Sequence, residues 1–92
     1  NTGNEKNKSG ISLDNFEEFL KFVRSLNIPV NGLMCLPPPD DEPSIHFCIL
    51  RELANKFELN DLSMGMSMDF EEAIKFGSTY LRIGSLFFGK RN

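Results

Sequence analysis

The sequence predicts an α/β fold in which parallel strands alternate with helices. Three short apolar runs that suit buried strands are separated by segments with helical spacing of their apolar residues. Parallel strands require such crossover helices, because each strand must return to the same edge of the sheet before the next begins. Three strands alone would leave two sheet edges and one sheet face bare, so we expect the 92 residues to be a section of a barrel or open sheet.

The first helix is predicted over residues 13–26, with Ser12 as its N-cap. Its apolar residues fall on one helical stripe, namely Leu13, Phe16, Phe19, Leu20, Val23 and Leu26. The first strand is predicted over residues 30–36, because this short apolar segment is bounded by Pro29 and by a run of three prolines.

The second helix is predicted to begin at Pro43 or Ser44 and to end near Phe57. Proline suits a first turn, and the acidic residues just before it favour the positive end of the helix dipole. Its expected inward face is Phe47, Leu50, Leu53, Ala54 and Phe57. A second strand is predicted over residues 59–64, a third helix over 69–76 with Gly77 as its stop, a third strand over 79–83 and a last helical turn over 85–88.

Composition excludes several classes of protein. The formal net charge is −3 and the ten basic residues are scattered, so we expect no nucleic-acid partner. No apolar run approaches the roughly 20 residues of a membrane span, and no basic and apolar leader opens the chain, so we expect no membrane partner. Cys35 and Cys48 lie in apolar segments and are expected to be free core thiols, which favours a reducing, cytoplasmic setting. The polar start at Asn1 suggests a piece of a longer protein.

Two small-residue loops form the candidate site, at residues 62–67 and 81–85. Glycine lets the backbone approach a ligand, serine adds a hydroxyl donor, and a helix opening after each loop would aim backbone N–H groups at an anion. Arg82 would add a fixed cation. Ligands of α/β folds bind beyond the carboxyl ends of the strands, where both loops are predicted to lie. The pattern therefore indicates a phosphate cradle.

Simpler interpretations exist for each of these residues. Ser63 and Ser67 would also suit a turn or a helix cap, and Arg82 would also suit pairing with a neighbouring carboxylate. His46 is expected to pack or cap rather than bind a metal, because the chain has no second histidine. The methionines are expected to pack around the loop, and the acidic run at residues 40–42 to be a solvated loop.

Taken together, these motifs resemble the pyridoxal-phosphate homeostasis proteins, relatives of the N-terminal barrel of alanine racemase. The resemblance covers nearly the whole chain. It is carried by Asn1-Thr2-Gly3 with Glu5, Lys8 and Gly10, by residues 32–38 and 46–47, and most specifically by Leu62-Ser63-Met64-Gly65-Met66-Ser67, Asp69-Phe70, Ala73-Ile74, Gly77-Ser78-Thr79, Arg82-Ile83-Gly84-Ser85 and Phe88-Gly89.

The resemblance implies a (β/α)₈ barrel that holds pyridoxal 5′-phosphate (PLP), with residues 1–92 as the C-terminal part of that single domain. The remaining barrel wall would come from a missing N-terminal segment, which also carries the family's Schiff-base lysine. The family's phosphate grip matches Ser63, Met64, Gly84 and Ser85, with Gly65 and Ile83 shaping the two turns. Arg82 matches the arginine that faces the pyridine nitrogen of the cofactor.

The function implied by the resemblance is cytoplasmic carriage or buffering of vitamin B6, rather than enzymatic turnover. No lysine of this chain matches the anchoring position, so no catalytic residue is assigned. One alternative is a PLP-dependent racemase of the alanine racemase lineage, which needs acid and base groups on both faces of the cofactor. Another is a phosphate-binding barrel with a sugar-phosphate ligand. We expect the 92 residues alone to hold PLP weakly.

Overall fold

Three helices and three strands alternate over the residues that the structure describes, as predicted. The computed structural model describes residues 1–6 and 9–83. A 3₁₀ turn at Leu13–Asn15 leads into helix α1 at Phe16–Ser25. The remaining elements are β1 (Gly32–Met34), α2 (Pro43–Lys56), β2 (Asp61–Met66), α3 (Phe70–Lys75) and β3 (Tyr80–Arg82).

The three strands form one parallel sheet in the order β1-β2-β3. The Cα partners of β1 and β2 are Gly32 with Asp61 and Met34 with Ser63. Ser63 is in turn the partner of Tyr80 in β3, but the register then shifts, so that Arg82 is the partner of Met66. A β-bulge in β2 lies between these two pairs and adds one residue to this strand. The predicted parallel sheet is confirmed.

Helices α2 and α3 cover one face of this sheet and enclose the core. Its buried residues are Cys35, Phe47, Leu50, Ala54, Leu59, Leu62, Met64 and Ala73, with Phe16, Val30, Leu33, Phe57 and Phe76 packed against them. Side chains alternate between the two faces of a strand, so Leu62 and Met64 of β2 point to the helices and Ser63 points to the opposite face. Burial of Phe47, Leu50 and Ala54 on α2 confirms the predicted inward face at those positions.

The opposite face of the sheet is largely open. Met34 is 52% exposed and Tyr80 is 60% exposed, and both share this face with Ser63. Helix α1 is also covered less than its sequence predicts: Leu20 is the one buried residue of its stripe, whereas Phe19 and Leu26 are about half exposed. The predicted inward stripe is therefore wrong at those two positions and at Leu13, which is 40% exposed, because the described residues leave this part of the stripe uncovered.

Several element boundaries differ from the prediction. Strand β1 is two residues shorter at each end than the predicted 30–36. Strand β2 begins and ends two residues later than expected, because the bulge lets the strand continue through Gly65 to Met66. The first helix begins as a 3₁₀ turn, and Ser12 makes no N-cap hydrogen bond to a backbone N–H; its hydroxyl accepts one from the Asn15 side chain at 3.0 Å. The helical turn predicted over residues 85–88 lies outside the described residues.

Helix α3 ends at the predicted glycine by a Schellman motif. Gly77 has φ +89°, and its N–H donates to the Ile74 carbonyl at 3.0 Å. The Ser78 N–H donates to the Ala73 carbonyl at 3.0 Å, which completes the motif. This stop turns the chain directly into β3. Among the described residues, no helix is long and apolar enough to cross a membrane.

Candidate functional site

The carboxyl ends of the three strands meet at one edge of the sheet because the strands are parallel. An open cleft of about 390 Å³ lies at this edge, between the segment after β1 and the segment after β2. Its lining is mostly apolar and consists of Leu36, Pro37, Pro38, Pro39, Asp41, Pro43, Met66, Met68 and Asp69. Crevices of this kind are where α/β folds bind ligands.

Strand β2 carries three of the predicted site residues, and each lies in a different environment. Ser63 is half-buried on the open face of the sheet, whereas the Met64 side chain is fully buried among core residues. Gly65 is at the bulge with φ +103°. The predicted loop at residues 62–67 overlapped the predicted strand at Ser63 and Met64, and the structure places all three residues in the strand. Of these three residues, Ser63 alone has a side chain on the open face of the sheet, and Met64 has its backbone alone to offer.

Strand β3 carries Arg82, which is exposed at the end of the strand and is followed by half-buried Ile83. The bulge makes Arg82 the partner of Met66, so the two strands bring the guanidinium-bearing residue beside the end of β2. Within residues 1–6 and 9–83, no salt bridge holds Arg82 to a carboxylate. Gly84 and Ser85, also predicted site residues, lie outside the described residues.

The turn between β2 and α3 is closed by the side chain of Asp69. The Asp69 carboxylate accepts a hydrogen bond from the Met66 N–H at 2.7 Å, and Asp69 is the N-cap residue of α3. Ser63 is therefore not a helix cap, since it lies well before this turn. The simpler interpretation of Ser63 as a cap is excluded by its position inside β2.

Ser78 and Thr79 support the site strand in a way that the sequence did not predict. The Ser78 hydroxyl lies 2.6 Å from the Met64 carbonyl oxygen, the shortest of its three contacts with carbonyl oxygens. The Thr79 hydroxyl accepts from the Leu62 N–H at 2.8 Å and donates to the Leu62 carbonyl at 3.1 Å. These side chains fix the backbone of β2 on both sides of Ser63. The sequence feature that could have predicted these hydrogen bonds is the Ser-Thr pair directly after the glycine that ends α3.

A cluster of polar side chains near the carboxyl edge centres on His46, which is only 4% exposed. Its Nδ1 lies 2.8 Å from the Thr2 hydroxyl and its Nε2 lies 3.0 Å from an Asp41 carboxylate oxygen. The expectation that His46 packs agrees with this burial. The described residues contain no group of three or more His, Cys, Asp or Glu side chains placed to hold a metal ion.

Cys35 lies beside this cluster at the end of β1 and is buried, as predicted from its apolar segment. Burial raises the pKa of the Cys35 thiol from 9.0 to about 11, and the Asp69 carboxylate acts in the same direction. The positive Asn1 amino group and a hydrogen bond from Thr2 oppose the rise in this pKa. A thiol with such a pKa stays protonated at neutral pH and is a poor nucleophile. Cys48 is also free but only half-buried.

Comparison with curated proteins finds relatives with a shared name. The chain is 42% identical to the pyridoxal phosphate homeostasis protein of Aquifex aeolicus over 101 residues, which cover 99% of the chain and 44% of that protein. It is 38% identical to the protein of that name from Escherichia coli strain K12 and 39% identical to that from Pseudomonas aeruginosa, covering 43% of each. The chain thus spans less than half the length of these relatives. No family model matches it.

Comparison with solved structures finds PipY, the COG0325 family member of Synechococcus elongatus PCC7942. The structure of PipY without PLP matches with a TM-score of 0.75 and 28% identity, covering 92% of this chain and 45% of PipY. The structure of PipY with PLP bound matches with a TM-score of 0.70 and 29% identity, covering 83% of this chain and 41% of PipY. The α/β fold class, as the C-terminal portion of a (β/α)₈ barrel, is thereby confirmed. By sequence along its whole length and by fold, the chain is similar to the pyridoxal phosphate homeostasis proteins and to PipY, and the resemblance predicted from its motifs is confirmed.

Proposed function

We propose that the chain is part of a PLP-binding barrel that acts in intracellular vitamin B6 homeostasis. The observation that carries this proposal is the pairing of β2 with β3, which places Arg82 at the carboxyl edge beside Met66 and Ser63 earlier in β2, on the open face of the same parallel sheet. The fold shared with PipY, whose structure has been solved with PLP bound, supports the same conclusion. The function is binding and delivery of the cofactor rather than turnover.

The phosphate of PLP would be held by residues from both strand ends. Ser63 offers a hydroxyl on the open face of the sheet, and the bulge at Gly65 interrupts the ladder there, which leaves one residue of β2 unpaired. Backbone N–H groups of Met64 and Gly65 would complete this half of the grip. Gly84 and Ser85 would supply the other half, with Ile83 shaping the turn between Arg82 and Gly84.

Arg82 would lie against the pyridine nitrogen of the cofactor. PLP, when bound, supplies an electron sink for reactions at an amino-acid carbon, and this property depends on the protonation of its ring nitrogen. A guanidinium beside that nitrogen disfavours its protonation, because two adjacent cations repel each other. Arg82 is exposed and makes no salt bridge with a described carboxylate, so its charge is available for this role. The residue therefore restrains the chemistry of the cofactor.

Residues 1–92 are, in this proposal, one part of a single barrel domain in the cytoplasm. All described strands belong to one sheet, and one core lies beneath it, which supports a single domain. The open face of the sheet, with Met34 and Tyr80, would be covered by further strands of the same barrel. Two free cysteines suit a reducing compartment.

A fluorescence titration with PLP, pyridoxal and inorganic phosphate tests the phosphate grip. We expect PLP to bind more tightly than pyridoxal, which lacks the phosphate, and we expect inorganic phosphate to compete. Ser63→Ala removes one hydrogen bond to a charged group, so it should weaken PLP binding about tenfold and leave pyridoxal binding unchanged.

Two controls make this titration specific. Ser25→Ala removes an exposed hydroxyl on α1 that bonds to the Phe22 carbonyl, far from the strand ends in the chain, and should bind PLP like the wild type. Equal binding of PLP and pyridoxal would contradict the proposed grip. Binding of a sugar phosphate in preference to PLP would favour the alternative phosphate-binding barrel.

A further inference from the structure

The proline turn after β1 is fastened to the start of the chain by tight packing. Its Asp41 N–H donates to the Pro38 carbonyl at 3.1 Å, which closes the turn over residues 38–41. Gly3 packs so closely against it that a Cβ at Gly3 would lie 2.5 Å from Cγ of Pro38. Pro38, Pro39 and Asp41 of this turn also line the cleft at the carboxyl edge. One wall of the cleft therefore rests on residues from a distant part of the sequence.

His46 provides the polar half of the same attachment. It lies in the first turns of α2, next to fully buried Phe47, so its ring has little freedom to move. Its two ring nitrogens contact Thr2 on one side and Asp41 on the other. A carboxylate only accepts hydrogen bonds, so Nε2 carries a proton that it donates to Asp41, while Nδ1 shares a hydrogen bond with the Thr2 hydroxyl. Both nitrogens of a buried ring are thus satisfied by two different loops.

We propose that His46 is a positioning residue that holds the proline turn as a wall of the cleft and thereby sets how tightly PLP is retained there. The inference rests on the proposed function, since it concerns the same carboxyl edge. The chain has three consecutive prolines in this segment, and their fixed φ angles make it stiff. Because the turn is stiff, we expect it to shift as a unit. The loss of one His46 hydrogen bond would then displace all the residues of the turn that line the cleft.

Variants of the two partners test this role without removing the buried ring, which His46→Ala would do. Thr2→Val removes the hydroxyl with little change of shape, and Thr2→Ser restores it. Asp41→Ala removes the acceptor for Nε2, and Asp41→Asn keeps an acceptor oxygen. Glu17→Gln, on the exposed side of α1, is the control outside the cluster.

Two readouts are measured on the full chain at a temperature where each variant is folded. The first is the NMR cross-peak between the Gly3 Hα protons and the Pro38 ring protons, together with ¹⁵N shifts that report the Nε2–H form of His46. The second is the PLP dissociation constant from fluorescence. We expect Thr2→Val and Asp41→Ala to weaken the cross-peak and to raise the PLP dissociation constant about tenfold, since each breaks a part-buried hydrogen bond of the His46 ring. Thr2→Ser and Asp41→Asn should recover most of both signals.

The outcomes separate this inference from the proposed function. Unchanged cross-peaks in Thr2→Val and Asp41→Ala would overturn the inference, because the turn would then not depend on His46. Lost cross-peaks with unchanged PLP binding would overturn it as well, because the wall would not matter for retention. A third outcome is that the wild-type protein binds no PLP while the cross-peaks respond as expected. The proposed function and the role of His46 in PLP retention would then both fail. The role of His46 in positioning the turn would be upheld.

Discussion

Gly65 occupies a position that both the backbone and the packing deny to a side chain. Its φ of +103° lies in the region that favours glycine, and a Cβ there would lie 2.7 Å from Cβ of Ala73 and 2.9 Å from Cδ2 of Leu81. The sequence predicted a glycine that admits a ligand. The structure adds that α3 and β3 pack directly on this residue. The sequence did not reveal these contacts, because Ala73 and Leu81 are distant from Gly65 along the chain.

We predict that Gly65→Ala lowers the free energy of unfolding by more than its unfavourable backbone conformation alone would. The left-handed conformation costs an alanine about 1–2 kcal/mol, and the overlap with Ala73 adds about 1–3 kcal/mol. Gly10→Ala is the matched control, because Gly10 has a similar φ of +108° but its Cβ would meet nothing nearer than 3.4 Å. Urea unfolding should show the larger loss for Gly65→Ala. Equal losses would mean that the packing around Gly65 is looser than described.

Cys35 leads to a prediction about alkaline pH. Its pKa is raised by burial to about 11 in the folded protein, against an ordinary value of 9.0 when unfolded. Above pH 9 the unfolded chain releases this proton while the folded protein keeps it, so stability falls as pH rises from about 9 to 11. Below pH 9 the thiol has no effect on the slope.

Unfolding experiments between pH 7 and pH 11 on the wild type and on Cys35→Ala measure this effect. The variant is expected to lose stability less steeply above pH 9, because it lacks the buried thiol, although its stability at pH 7 is lower. Parallel curves for the two proteins would show that Cys35 ionises as easily when folded as when unfolded. Cys48→Ala, at a half-buried thiol, serves as the control.

At the scale of elements, the helices were easier to predict than the strands. Helix α2 begins at the predicted proline and ends within one residue of Phe57, because proline, acidic residues and periodicity all act locally. Strand β2 was predicted two residues too early. Gly65 is typical of a loop in the sequence, but the bulge keeps this residue within the strand. The contact between His46 and Thr2 joins residues 44 positions apart, and no local pattern predicts such a pair.

The attachment of β3 to β2 through Thr79 is testable by a matched pair of variants. Thr79→Val keeps the shape and the β-branching but removes the hydroxyl, which leaves the N–H of buried Leu62 without this partner. We expect a loss of about 1–3 kcal/mol in the free energy of unfolding, the usual cost of an unsatisfied buried group. Thr79→Ser should recover a large part of that loss. A Thr79→Val protein as stable as the wild type would show that the strands are held by their backbone alone.

At the scale of the whole molecule, the sheet has one covered face and one open face. The sequence predicted this incompleteness from its three strands, and the exposure of Met34 and Tyr80 agrees with it. The relatives are more than twice as long as the chain, which fits a section of a barrel. Half of the predicted phosphate grip, at Gly84 and Ser85, lies outside the described residues, so the site as a whole remains a prediction from the sequence.

The most direct measurement is a titration of the ¹⁵N-labelled chain with PLP, and separately with pyridoxal, followed by NMR. If the phosphate of PLP is held between the strand ends, amide shifts should concentrate at Ser63, Met64 and Gly65 and at Ile83, Gly84 and Ser85. Pyridoxal should produce much smaller shifts at those residues. Shifts that are the same for both compounds, or that concentrate on the exposed face of α1, would contradict a phosphate grip at the carboxyl edge of the sheet.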